Sequence, residues 1–271
     1  PTIEGAVYKW DANSTFIKEP PFFDGVTRVP GKVTDVKGAR ALAILGDSIT
    51  TDHISPSTKI KTGTPAGKWL EGYKSPPSEW GHFGVRRCNH ELMVRGTFAN
   101  VRLRNAVAPG TEGPITKHQP DGAQMTIFEA SELYLKAGTP LVIFGGEDYG
   151  MGSSRDWAAK GVQLLGVKAV IVKSFERIHR ANLIGMGVLP LQFKANDSVQ
   201  SLRIDGTETF DIEGINGGNV KPLQDVTLVM ARKDGSQQRV PLTLRIDTVI
   251  EVDYLKHGGI LPYVLRSLLA A

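Results

Sequence analysis

Two serines and an arginine, Ser153, Ser154 and Arg155, follow a glycine-rich stretch in the middle of the chain. The apolar run 141–144 before that stretch predicts a buried strand, and residues 153–165 have the composition of a helix start and body. At such a junction the first N–H groups of the helix lack partners, and the helix dipole favours an anion. The hydroxyls and the guanidinium therefore predict a carboxylate or phosphate site. The alternative, a serine that serves only as an N-cap, leaves the other serine and the arginine unexplained.

Two familiar phosphate-binding sequences do not fit this stretch. A Walker loop ends in Gly-Lys-Ser/Thr, whereas here Gly152 is followed by Ser153 with no lysine. A dinucleotide-binding fingerprint requires a third glycine where Arg155 stands. Neither class of nucleotide-binding protein is supported.

A second polar loop, residues 46–56, follows the predicted strand 39–45. Ligands of open α/β folds collect at the carboxyl ends of strands, so Asp52 and His53 are candidates for proton transfer or metal binding. An Asx turn beside a solvated histidine explains the same spacing equally well.

Paired arginines, Arg86 and Arg87, precede Cys88. Such pairs are most often part of a solvated face. Cys88 is the only cysteine of the chain. It therefore excludes an internal disulfide, and also a zinc or iron–sulfur site built from the thiolates of this chain.

The elements around these loops predict an α/β fold. Residues 167–172 form a second buried run, so the helix that starts near Ser153 would join two parallel strands in a βαβ unit. Residues 97–103 are a strand candidate, and residues 126–137 form an amphipathic helix. Beyond residue 194 the apolar residues alternate as in antiparallel strands. We therefore expect a layered β/β/α domain with mostly parallel strands near the site and an antiparallel C-terminal portion.

Two further helices are predicted. Residues 174–183 indicate a helix with Ser174 as its cap and with His179 and Arg180 along it. A cap with ordinary surface charge accounts for most of these residues. The last helix, residues 259–269, carries apolar side chains at helical spacing.

Composition describes a globular protein. A chain of 271 residues with 41% hydrophobic content can bury a substantial core. Its net charge of +4 is a weak argument for nucleic acid, because the basic residues are interleaved with acidic ones. No apolar run approaches the roughly twenty residues of a membrane span, and no signal peptide is recognised. We expect a cytoplasmic protein with no membrane partner.

The first residues differ from the rest. Residues 1–38, called the arm below, are rich in Pro, Gly and aromatic residues and predict a connecting segment that lies across a surface. Residues 39–271 would form the domain. The chain opens with Pro1 rather than methionine, which suggests a fragment of a longer protein.

Several motifs, in the right order, resemble the C-terminal swivelling domain of the aconitase family. The family's signature Tyr-Gly-X-Gly-Ser-Ser-Arg is matched by YGMGSSR at 149–155. The other matching segments are GDSITTDHISP at 46–56, SFERIHRANLIGMGVLPL at 174–191, RRCN at 86–89, and the linker-like WDANSTFIKEPPFFDG at 10–25. Cys88 stands where the family usually has glycine, and it would be strained if that position needed a positive φ.

The resemblance implies roles for individual residues. Ser153 would be the general base that removes a proton next to a carboxylate, and Arg87 would bind a substrate carboxylate, oriented by Asp52. The candidate site is catalytic Ser153, Asp52 and His53, with substrate-binding Arg87, Ser154 and Arg155.

The resemblance also implies an activity, the isomerisation of citrate to isocitrate through cis-aconitate. In the family a [4Fe-4S] cluster is held by three cysteines of another domain and binds the substrate, while the swivelling domain closes over it. The expected partners are therefore a tricarboxylate and the cluster-bearing domains of the same enzyme. The chain alone would bind no cluster and would be inactive.

Three alternatives remain open. Methylcitrate or methylisocitrate dehydratases use the same domain and differ by a methyl pocket worth a few kcal/mol. Iron regulatory proteins use it to bind RNA hairpins, for which Arg95, Arg102, Arg104 and Arg180 are candidate phosphate contacts, although surface charge explains the same arginines equally well. Isopropylmalate isomerases use it as a separate, shorter subunit without the arm.

Overall fold

The computed structural model of the protein describes residues 8–153 and 155–270, apart from the side chain of Arg155. The strands of this part are β1 Val36–Ile44, β2 Ile115–Lys117, β3 Gln124–Thr126, β4 Leu141–Phe144, β5 Val167–Val172, β6 Leu189–Phe193, β7 Thr209–Glu213, β8 Asp225–Ala231 and β9 Gln237–Leu244. Its α-helices are α1 Thr51–Ile54, α2 Pro65–Gly72, α3 His90–Gly96, α4 Ile127–Lys136, α5 Arg155–Leu164, α6 Arg177–Gly185, α7 Val249–His257 and α8 Ile260–Ala270.

Seven of these strands close into a barrel in the order β1-β4-β5-β6-β9-β8-β7. The strands β1, β4, β5 and β6 pair in parallel. The later pairs β6–β9, β9–β8 and β8–β7 are antiparallel, and β7 closes the ring against β1. The mixed α/β fold with parallel strands near the site is thereby confirmed. The strands form a closed ring, whereas the sequence analysis predicts layers.

The parallel strands are buried on both faces. Along β4, Val142 and Phe144 face the interior of the barrel, while Leu141 and Ile143 belong to the apolar layer between the barrel and the helices. The same alternation runs through β5, and in β1 it is interrupted at the register shift between Ala41 and Ala43. Because both faces are covered, these strands read in the sequence as continuous apolar runs.

The helices that follow the parallel strands carry the site. Helix α5 connects β4 to β5, and α6 connects β5 to β6. A third, smaller apolar cluster lies around Trp80, Leu70 and Leu92, beneath the loops that follow β1.

One predicted strand is wrong, and one helix was not predicted. The strand candidate 97–103 is a turn, because Phe98 is buried with φ at 61° and its N–H donates to the carbonyl of Ile54. Helix α7 is absent from the sequence analysis. Its two exposed apolar residues, Val249 and Ile250, interrupt the helical apolar pattern on which such a prediction depends.

Candidate active site

Three loops meet at the carboxyl ends of β1, β4 and β5. The N–H of Ser48 in the first loop donates to Glu147 O in the second at 2.7 Å. The N–H of Tyr149 donates to Ser174 O in the third at 3.0 Å. The glycine-rich loop of residues 145–152 is therefore held between its two neighbours by backbone hydrogen bonds, as expected for a ligand site at strand ends.

Two glycines of this loop cannot carry a side chain. Gly150 has φ at 93°, and a Cβ there would collide with the His179 ring of α6. Gly152 has φ at 131°, and a Cβ there would collide with the Thr51 hydroxyl. Both conformations are strained for other residues, so the loop passes between α1 and α6 only because these positions are glycine.

Two polar side chains, His179 and Tyr149, form the floor beneath the loop, and neither of them titrates near neutral pH. His179 and Tyr149 are both fully buried, with ring centroids 5.6 Å apart. Burial lowers the pKa of His179 to about 4, and burial raises the pKa of the Tyr149 hydroxyl. At pH 7 His179 is therefore neutral and Tyr149 keeps its proton. The loop rests on an uncharged floor.

A cavity of about 780 Å³ opens in front of this loop. Ser153, directly after the loop, and Arg87, in the turn before α3, both line it, and both side chains are exposed. The structure thus brings together two residues that lie 66 positions apart in the sequence (153 − 87). A hydroxyl and a guanidinium on one cavity can bind a carboxylate.

The arm forms the opposite wall of the same cavity. Ile17, Lys18 and Phe22 line it, and the Phe22 ring centroid lies 6.5 Å from that of Trp157 in α5. These arm residues therefore lie against the surface that carries the candidate site, and the linker role of residues 1–38 stays a prediction.

The other predicted site residues lie elsewhere or outside the described part. Asp52 is exposed in the first turn of α1 and, within the described residues, forms no ion pair with Arg87. His53 Nδ1 accepts the N–H of Thr50 at 3.0 Å in a capping box. Ser154 and the side chain of Arg155 lie outside the described residues. Arg155 itself begins α5.

Several residues of the cavity were not predicted from the sequence. His90, Trp157 and Lys160 line the cavity beside the predicted ones. Burial lowers the pKa of His90, so this ring is neutral at pH 7 and can act as a hydrogen-bonding group. Trp157 and Lys160 follow Ser153 at four and seven positions, a helical spacing that could have indicated them once α5 was predicted.

The cysteine at position 88 fits without strain. Cys88 is exposed on the cavity and does not have a positive φ. The replacement of the family's glycine therefore requires no unfavourable backbone conformation.

Three of the four arginines that were candidates for RNA contacts form ion pairs with glutamates of the chain. Arg180 is buried and pairs with Glu251 at 2.8 Å, so its prediction as a phosphate contact is wrong. Arg95 pairs with Glu91 at 2.6 Å, and the exposed Arg104 pairs with Glu112 at 2.7 Å.

Across the described ranges, no three side chains among His, Cys, Asp and Glu come together as a metal site. In the same residues, no helix has both the length and the apolar character needed to span a bilayer.

The fold is thus an α/β barrel domain with a cavity, lined by Ser153 and Arg87, near the carboxyl ends of its parallel strands. Residues 78–196 match the family model of the aconitase C-terminal domain. The recognition of an aconitase C-terminal domain in this chain is confirmed by that match and by the whole-chain similarities that follow.

Two relatives show the extent of the similarity. Aconitate hydratase A of Deinococcus radiodurans is 53% identical over 270 residues, which cover 100% of this chain and 30% of the relative. Aconitate hydratase A of Pseudomonas aeruginosa is 52% identical over 262 residues, which cover 97% of this chain and 29% of the relative. The chain thus spans about 30% of the length of these relatives.

A solved structure of 3-isopropylmalate dehydratase from Methanocaldococcus jannaschii is also similar. It is 20% identical, covers 88% of this chain and 97% of its own chain, and superposes with a TM-score of 0.47. A likeness at that level adds nothing to the assignment.

Proposed function

We propose that this chain is the C-terminal swivelling domain of an aconitate hydratase that converts citrate to isocitrate through cis-aconitate. The observation that carries the proposal is that Ser153 and Arg87 line one cavity at the carboxyl ends of parallel strands. Its support from relatives is the 53% identity over the whole chain. The swivelling motion and the cytoplasmic location remain predictions.

The charge of the cavity suits a tricarboxylate. Its charged lining residues are Arg87, Lys18 and Lys160, against the single carboxylate of Asp156. Lys160 pairs with Asp156 at 2.9 Å, which leaves Arg87 and Lys18 as uncompensated positive charge within the described lining. A cavity lined by one sign of charge concentrates ligands of the opposite sign.

In this proposal Ser153 removes the proton next to a carboxylate. A serine hydroxyl acts as a base only when its oxyanion is stabilised, and Ser153 lies just before the N-terminus of α5, where unpaired N–H groups and the helix dipole favour negative charge. Arg87 contributes further positive charge on the same cavity. Ser154 and Arg155 would complete the carboxylate-binding group.

The reaction balances as an elimination followed by an addition. The C–H proton passes to Ser153 Oγ. The electron pair of the broken C–H bond forms the alkene of cis-aconitate, and hydroxide leaves from the adjacent carbon. Hydroxide then adds to the carbon that lost the proton, and Ser153 returns that proton to the carbon that lost the hydroxyl group. Asp52 would orient Arg87 in this scheme, and His53 remains a candidate proton-transfer group.

The iron–sulfur cluster implied by the family does not fit this chain. Three thiolates are needed, and Cys88 is the only cysteine. The cluster-bearing domains are therefore proposed as partners within a longer protein. Citrate and 2-methylcitrate are both compatible with the cavity, and comparing their turnover would identify the substrate.

Ser153→Ala in the longer enzyme tests the central role. We expect turnover to fall by about 10² to 10⁴, because a general base is lost. Substrate affinity and melting temperature should change little, since the carboxylate-binding groups and the helix remain. Ser57→Ala is the matched control, because Ser57 is another exposed serine of the same cavity.

The two roles of Ser153 predict opposite losses. If the serine were only a cap, the same change would cost about 0.5–2 kcal/mol of stability with nearly normal turnover. Near-normal turnover in Ser153→Ala, or an equal loss in Ser57→Ala, would refute the assignment.

A further inference from the structure

Arg86, the neighbour of the proposed carboxylate-binding arginine, is completely buried, with 0% of its surface exposed. Its Nε donates to Trp80 O at 3.0 Å, and Nη2 donates to Glu79 O at 2.8 Å. Nη1 donates to both the carbonyl and the hydroxyl oxygen of Thr15, at 3.0 and 2.7 Å. Among the described residues no carboxylate lies within ion-pair distance of this guanidinium. Burying a charged group is costly unless its donors are hydrogen-bonded, and here neutral oxygens accept from all three guanidinium nitrogens. This arrangement indicates a structural role for Arg86.

Thr15 belongs to the arm, so Arg86 joins two segments that are 71 positions apart. Three further contacts join the same two segments. The Phe16 ring lies over the guanidinium, 3.8 Å from its carbon. Asn89 Nδ2 donates to Thr15 O at 2.8 Å, and the N–H of Lys18 donates to Cys88 O at 3.0 Å.

These contacts surround Arg87 in the sequence. Residues 86, 88 and 89 are all fastened to the arm, and Arg87 between them lines the cavity. Farther along the arm, Phe22 packs near Trp157, and Lys160 Nζ lies 5.5 Å from the Phe22 ring centroid. The arm therefore connects the turn that carries Arg87 with the helix that follows Ser153.

We propose that Arg86 is a positioning residue that fastens the arm to the turn of residues 86–89, and thereby fixes Arg87 and one wall of the substrate cavity. Only an arginine suits this role, because its planar fork reaches carbonyls of residues 15, 79 and 80 at once, whereas a lysine ammonium is a single point. The part of the inference that concerns substrate rests on the proposed function.

Two variants of the longer enzyme test it, Arg86→Lys and Thr15→Val. Arg86→Lys keeps the positive charge, but the ammonium cannot reach all the carbonyls. Thr15→Val removes only the hydroxyl group of Thr15. The control is Arg266→Gln, because Arg266 Nε also binds an arm carbonyl, Thr27 O at 2.9 Å, at a residue that does not line the cavity.

Hydrogen exchange of the Lys18 amide and steady-state kinetics are measured on each protein. In Arg86→Lys we expect exchange at Lys18 to rise about ten-fold, KM for the tricarboxylate to rise by a similar factor, and kcat to fall less than KM rises. Thr15→Val should show the same changes at smaller size, and Arg266→Gln should match the wild type at Lys18 and in KM.

Each other result decides against the inference. Unchanged exchange at Lys18 in Arg86→Lys shows that the arm is not fastened there, whether or not the enzyme turns over. Faster exchange with normal KM shows that the arm does not position Arg87. A wild-type enzyme that does not convert citrate refutes the proposed function instead, and the exchange measurement then still decides whether Arg86 holds the arm.

Discussion

At the scale of single residues, His179 shows how the floor of the site depends on protonation. Its ring is fully buried against Gly150, and neither ring nitrogen has a hydrogen-bond partner in the described part of the protein. A buried polar group of this kind costs stability when it becomes charged. Protonation of His179 is therefore coupled to the unfolding of the protein.

The sign of this coupling follows from the pKa of His179, which burial lowers from 6.5 to about 4. Between these values the unfolded chain binds a proton that the folded chain does not. The free energy of unfolding is therefore unaffected above pH 6.5 and decreases as the pH falls from 6.5 towards 4, by up to about 1.4 kcal/mol per pH unit.

We expect His179→Gln to reduce this pH dependence, because the amide does not titrate. The measurement is denaturant unfolding at several pH values between 7 and 4. His82→Gln, at an exposed histidine, is the control and should keep the wild-type slope. Equal slopes in all three proteins would show that His179 does not contribute.

At the scale of elements, one carboxylate ties α6 to the start of α7. The Glu251 carboxylate accepts hydrogen bonds from both terminal nitrogens of Arg180, at 3.0 and 2.8 Å, and from the N–H of Asp247, at 2.8 Å. The exposed fractions of the Arg180 and Glu251 side chains are 7% and 10%. Arg180 Nε lies 3.3 Å from Asp247 Oδ2 without the alignment of a hydrogen bond, so Glu251 is the principal partner.

We expect Glu251→Ala to lower the free energy of unfolding by about 3–5 kcal/mol, because it leaves Arg180 buried without its main partner. Glu112→Ala, which breaks the exposed pair with Arg104, should cost less than about 1 kcal/mol. Denaturant unfolding of both variants checks the difference, and similar losses in the two would contradict it. Adding Arg180→Met to Glu251→Ala should restore part of the stability.

At the scale of the whole molecule, the cavity is lined by the arm, by segments that follow β1 and by helix α5, yet the chain covers about 30% of the length of its relatives. The function proposed above, with Ser153 as the base and Arg87 as the carboxylate-binding group, also requires a group that holds the substrate hydroxyl. We expect that group to come from the rest of the longer protein.

The chain alone should bind no iron–sulfur cluster and form no cis-aconitate from citrate. The reason is the single thiolate of Cys88, since three are needed. Iron and sulfide stoichiometry after reconstitution measures this, with Cys88→Ser as the control for iron bound adventitiously at that thiol. A stable cluster together with aconitate formation would overturn the expectation.

The sequence by itself determined the elements with strong local signals. The apolar runs at 141–144 and 167–172 are β4 and β5, and the helix predicted at 126–137 is α4 at Ile127–Lys136. Local composition suffices there, because strands buried on both faces and capped amphipathic helices have characteristic patterns. The signature at 149–155 was also sufficient to recognise the family, because its residues lie together in the chain.

Tertiary structure decided what depends on contacts between distant segments. Ser174 was predicted to cap α6, but its hydroxyl accepts the N–H of Asp148, and Glu176 caps the helix instead. The closure of the barrel by β7 against β1 likewise depends on pairing across the whole domain. Arg86 and Arg87 are adjacent and chemically identical, yet one is buried against the arm and the other lines the cavity. Only the fold distinguishes them, because burial is set by what packs against a side chain and not by its sequence neighbours.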